Sequence, residues 1–121
     1  MRLVVLLACG ILLHTTSLHA QSSVSFPTSD GGIVRGDEYG TGRRGVVLVA
    51  HGGYSYKARW AKQARVLAEA GFRVLAFDTR AGIELQRTGK ETACLYDPGC
   101  MAVDVIAAVR YLHRRLSLIH I

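Results

Sequence analysis

The run Val46-Val47-Leu48-Val49-Ala50, leading into His51-Gly52-Gly53-Tyr54, restricts the fold of this chain more than any other segment. Five β-branched and aliphatic residues with no polar alternation suit a strand buried on both faces, as in a parallel sheet. The glycine pair ends that strand. From Lys57 to Ala70 the pattern turns helical: Trp60, Ala64, Leu67 and Ala68 share one face, while Lys57, Lys62, Arg65 and Glu69 fall largely elsewhere on the wheel. Gly71 stands where a C-terminal cap belongs. Phe72 to Phe77 then reads as a second apolar strand, stopped by Asp78. Strand, helix and strand of these lengths predict a βαβ unit with parallel strands.

The flanking segments are weaker in signal. Residues 21 to about 45 are rich in Ser, Gly and Thr, with short strands at Val24–Phe26 and Ile33–Arg35 and a hairpin turn at Asp30-Gly31-Gly32. Gly40-Thr41-Gly42-Arg43-Arg44-Gly45 spells GxGxxG. A dinucleotide fingerprint needs a strand before the glycines and a helix after them; here the glycines precede a strand, so the motif reads as a loop. After Asp78 the sequence suggests a loop of about twenty residues. Asp97-Pro98 then offers a helix start, a capping carboxylate ahead of a first-turn proline. Val103, Ile106, Ala107, Val109 and Leu112 mark its apolar face, with Arg110, Arg114 and Arg115 pointing outward. This helix should lead back to a third parallel strand. The last six residues, Leu116 to Ile121, would begin that strand if they are native protein. The same six residues, however, are what the end of a transposase-based sequencing adapter translates to, so a non-native tail over 116–121 is the preferred expectation.

The first twenty residues differ in kind. Arg2 supplies a positive start, Leu3 to Leu13 is almost wholly apolar, and a short polar stretch ends at Ala20. That is the plan of a secretory signal peptide, too short to span a bilayer. Leu6-Leu7-Ala8-Cys9 resembles a lipoprotein box, but too few residues precede Cys9 and the apolar run continues past it. The mature domain therefore spans 21–115, is exported to the periplasm or outside the cell, and has no stable membrane insertion. In that oxidising setting the remaining cysteines, Cys94 and Cys100, form an even pair around a turn-rich segment and are expected to be bridged. With no nearby His they match no zinc pattern, so neither metal nor cofactor is expected. The formal net charge of +6 is scattered rather than gathered with aromatics on one element, which argues against nucleic-acid binding.

Taken together, HGGYSYKARWAKQARVLAEAGFRVLAFDTR and DVIAAVRYL resemble the opening of the α/β-hydrolase fold, in its esterase-like and dienelactone-hydrolase-like branches. The resemblance covers roughly residues 24–115. It implies an α/β fold holding the amino-terminal part of a hydrolase sheet: short first strands, the βαβ unit and a following helix, with the sheet incomplete. It also implies that the loop after the third strand supplies one backbone N–H of an oxyanion hole, from Gly53 or Tyr54. Such a donor stabilises the negative charge built on a carbonyl oxygen under attack, and losing one costs about 3 kcal/mol in the barrier. His51 is not the catalytic base, since the family's order of nucleophile, acid and base puts that histidine much later. It is expected to pack beneath the loop or line a pocket. Tyr56 and Tyr54 could line the acyl pocket, and Asp78 is expected to serve a turn or a hydrogen bond rather than a triad.

No GxSxG, GxCxG or GxDxG occurs, so these residues include no nucleophile elbow, and the chain as given should not turn over substrate. The reading is thus the amino-terminal portion of an exported serine hydrolase whose whole protein acts on a small ester or related acyl bond. The alternative is a small exported binding or structural protein that uses the βαβ unit without chemistry.

Overall fold

The computed structural model describes residues 21–50 and 56–119. Four strands form one sheet: β1 (Ser22–Pro27), β2 (Ile33–Tyr39), β3 (Arg44–Ala50) and β4 (Phe72–Asp78), in the order β1-β2-β4-β3. The first two pair as an antiparallel hairpin and β2 runs antiparallel to β4, whereas β3 and β4 are parallel, with Val46 beside Val74 and Ala50 beside Asp78. Between these parallel strands the chain passes through a 3-10 turn at Lys57–Trp60 and helix α1 (Ala61–Glu69). The expected βαβ unit is therefore present. Both amino-terminal strands exceed the lengths read from the sequence, because ladder pairing with β4 carries β2 on to Tyr39.

Two apolar layers cover the sheet. On one face Tyr39, Val74 and Ala76 pack with Ala64 and Ala68 of α1. On the other, Phe26, Val34, Leu75 and Phe77 pack with Ala107, Ala108 and Leu112 of α3 (Pro98–Ile119). Strand β4 is buried on both sides, which explains the unbroken apolar run Val74–Phe77. Each fully buried side chain such as Leu75 or Phe77 contributes about 1.5–3 kcal/mol. Gly71, with φ +97°, makes the sharp exit from α1 that a Cβ would oppose.

Three expectations need correction. Residues after Asp78 are not a twenty-residue loop, since helix α2 (Arg80–Thr88) and a 3-10 turn at Ala93–Leu95 occupy much of it. Thr79 caps α2 by accepting the Gly82 N–H, and Gly89 ends it in the left-handed region. The buried face of α3 also differs: Ile106 and Val109 are 49% and 51% exposed, whereas Asp104, Ala107, Ala108 and Leu112 point inward. Asp104 belongs inside because it pairs with Arg80. Finally, no strand begins at Leu116, because α3 continues to Ile119. Its start agrees with the sequence, with the Asp97 carboxylate accepting the Gly99 N–H at 2.7 Å. The disulfide Cys94–Cys100 is formed, with Cα atoms 5.3 Å apart, tying the Ala93–Leu95 turn to the first turn of α3.

Candidate active site

The carboxyl ends of parallel strands are where open α/β sheets place their ligands. Here that edge is made by Ala50 and Asp78, which lie side by side in register. Residues 51–55, followed by Tyr56, connect β3 to the 3-10 turn. Residues 51–55 include the expected oxyanion donors Gly53 and Tyr54 and the expected pocket residue His51, and all three lie outside the described residues.

What is described is how both ends of that connection are held. On the entry side, the Ala50 carbonyl accepts the Thr79 N–H at 3.4 Å. One residue earlier, the Val49 carbonyl accepts Trp60 Nε1–H at 3.2 Å. On the exit side, Lys57 is fastened twice. Its backbone N–H donates to Asp78 Oδ1 at 2.8 Å, and its ammonium reaches Asp37 Oδ2 at 2.7 Å. Asp37 and Asp78 project from the same sheet face, the one covered by α1 and the turn before it. Burial pushes the Asp78 carboxyl above its ordinary value, and the nearby Asp37 charge adds to this, while the Lys57 contacts oppose it. Tyr39, two residues beyond Asp37, has its phenol pushed upward by burial and then by the Asp37 charge. Asp37 Oδ1 and the Tyr39 hydroxyl are buried without a partner among the described residues.

This arrangement alters the reading of several residues. Asp78 takes the hydrogen-bonding role expected of it. Lys57 is not a solvated helix lysine but an anchor on a carboxylate that is 1% exposed. Tyr56, the expected pocket residue, is 41% exposed, with the Arg59 guanidinium 5.9 Å above its ring. Nothing in the hydrophobic pattern pointed to Asp37, because a buried acid on a strand is legible only through its cation.

A second ionic cluster ties the sheet edge to α3. Arg80, just beyond β4, donates to both oxygens of Asp30 at 2.9 Å and to Asp104 Oδ1 at 2.6 Å. The Arg80 hydrogen bond holds the Asp30 carboxyl well below the carboxylate range, helped by the hydroxyl of Thr28. On the α3 face, Glu38 accepts from Arg73 at 2.8 Å, from the Tyr111 hydroxyl at 3.0 Å and from Arg115 at 3.4 Å. Arg115 therefore turns inward at its tip rather than projecting freely. Burial raises Glu38 most strongly, but these donors and cations together bring it below its ordinary value. Among the described residues no group of three or more His, Cys, Asp or Glu side chains could hold a metal ion. No helix among them is long and apolar enough to cross a membrane.

The sheet order, the parallel β3–β4 pair and the flanking helices define an α/β fold of hydrolase type. Solved structures of hydrolases match it over about three quarters of the chain. An epoxide hydrolase from an endophytic Streptomyces is 32% identical, with a TM-score of 0.60 over 77% of this chain and 27% of its own. An esterase from Pyrococcus furiosus is 27% identical, with a TM-score of 0.53 over 78% of this chain and 36% of its own. One from Exiguobacterium antarcticum, 23% identical with a TM-score of 0.56 over 76% of this chain and 32% of its own, shares the fold. No protein-family model and no curated protein matches the sequence. By its fold the chain belongs with the α/β-hydrolase superfamily, and it spans about a third or less of the length of the hydrolase structures it matches.

Proposed function

We propose that this chain forms the amino-terminal sector of an exported serine hydrolase, and that the whole protein cleaves an ester or related acyl bond. In this reading 1–20 is the export signal, 21–115 the hydrolase sector and 116–121 a non-native tail. The segment after β3 supplies the backbone donor at Gly53 or Tyr54. The nucleophile, acid and base belong to sequence outside these residues. The observation that carries the reading is the parallel β3–β4 edge, where the ends of the 51–55 connection are tied down by Thr79, Asp78 and Asp37. A preorganised oxyanion donor needs such fixed ends, since its value depends on not reorganising during the reaction. The disulfide is compatible with export.

The test is to read the source gene beyond the Arg115 codon and express the complete frame. A GxSxG within about thirty codons, consistent with the strand-to-helix placement of the nucleophile elbow, together with hydrolysis of p-nitrophenyl esters, is the expected result. An authentic stop directly after these residues would overturn it.

One observation favours the non-catalytic alternative: both sheet faces already carry a helix and a buried apolar cluster. A soluble, monomeric, cooperatively unfolding 21–115 chain with no activity in the complete gene product would support that reading instead.

A further inference from the structure

A cleft of about 860 Å³ opens between α2, the Ala93–Leu95 turn and the start of α3. Thr79 and Arg80 line it, so it lies at the carboxyl end of β4. Its volume falls within the range of small-molecule sites. Ala81, Leu95, Met101, Val103 and the Cys94–Cys100 bridge give it apolar walls.

Its charges are unbalanced. Arg80 is the one cation among the lining residues, against the carboxylates of Asp30, Glu84, Asp97 and Asp104. That guanidinium is already engaged by Asp30 on one side and Asp104 on the other. Glu84 is paired with Arg87, and Asp97 caps α3. An entering anion would therefore meet acidic groups and no unengaged cation among the described residues that line the cleft, and low local dielectric strengthens that repulsion. We propose that this cleft binds an apolar small molecule carrying no negative charge.

If the reading under Proposed function holds, and on that reading alone, the cleft gains a direction. Water added across an ester bond releases an alcohol and a carboxylic acid, which is ionised at neutral pH. An uncharged ester would be admitted, and its carboxylate product repelled.

The experiment uses the full chain, exported from a bacterial host, and two fluorophores that differ by one sulfonate: N-phenyl-1-naphthylamine and 8-anilino-1-naphthalenesulfonate. Saturable one-to-one binding of the neutral probe is expected, about tenfold tighter than its sulfonated counterpart. Ala81→Trp, which fills the cleft, should remove that binding, while Val109→Trp on the outer face of α3 should not. Glu84→Lys, an exposed rim change that leaves the core intact, should narrow the gap between the probes. Equal affinity for both probes would overturn the proposal, as would a gap unmoved by Glu84→Lys. So would sedimentation showing that a second copy of the chain fills the cleft, with a dimer broken by Ala81→Trp. Because no hydrolysis is read, failure here is distinct from failure of the hydrolase reading.

Discussion

Lys57 Nζ lies 2.7 Å from Asp37 Oδ2, joining the first residue of the 3-10 turn to a carboxylate buried in β2. Breaking a buried pair by removing one partner leaves an uncompensated charge, whereas removing both is far milder. The Lys57 side chain is partly exposed, so water screens some of the loss. Lys57→Met is expected to cost about 1–3 kcal/mol and the double variant with Asp37→Asn appreciably less. Urea unfolding of the four members of the cycle measures the coupling. Strict additivity would show that the pair contributes nothing.

The Cys94–Cys100 bridge closes a short loop with a sequence separation of 6. In the chain-entropy picture such a loop contributes about 2 kcal/mol by restricting the unfolded state. Replacing both cysteines by Ser should lower stability by that amount, and wild-type protein in reductant should fall to the same midpoint. A larger loss in the double Ser variant than in reduced wild type would indicate that the sulfurs also pack against the cleft.

Much of the sheet was legible because Val46–Ala50 of β3 and Val74–Phe77 of β4 are unbroken apolar runs and α1 shows its stripe at Ala64 and Ala68. Helix α2 was not, although Thr79 and Gly89 carry its start and stop signals. Its nine residues offer only Ala81, Ile83 and Leu85 as apolar guides, too few to establish a period. The face of α3 was misjudged for a related reason. Hydrophobic spacing favoured Ile106 and Val109, but ion pairing draws Asp104 to Arg80, and Tyr111 turns in to bond Glu38. Polar groups that choose a helix face through a distant partner leave no mark in a periodicity. The site followed the same rule. The glycine pair after β3 announced a turn at the sheet edge, whereas the Asp37 anchor awaited the pairing of β2 with β4.

Close backbone approach makes a sharper test of the loop before β3. A Cβ built on Gly42 would come within 1.8 Å of the Gly71 carbonyl oxygen, a backbone atom with no rotamer to yield. Gly42→Ala must therefore separate this loop from the exit of α1. A loss of about 2 kcal/mol or more is expected, in the range of severe backbone effects, read as a lowered Tm. An unchanged melting curve would mean that the two segments part at no cost.

Acid should unfold this protein partly through Glu38. Its carboxyl sits below the ordinary value of 4.5 because Arg73, Tyr111 and Arg115 outweigh the burial that raises it. A carboxylate with a depressed folded pKa contributes stability that is present above its unfolded value and lost as pH falls through the folded one. Asp78 works in the opposite sense. Burial raises it above 3.8, so the folded state takes up its proton first and stability from this group increases as pH falls towards the unfolded value. Glu38→Gln should therefore lower stability near neutrality and flatten its decline between about pH 5 and pH 3, whereas Asp78→Asn should steepen that decline. Unfolding free energies across this window, measured by denaturant titration for wild type and both variants, distinguish the two. Parallel curves for Glu38→Gln and wild type would mean that Arg73 and its neighbours do not hold the Glu38 carboxylate as described.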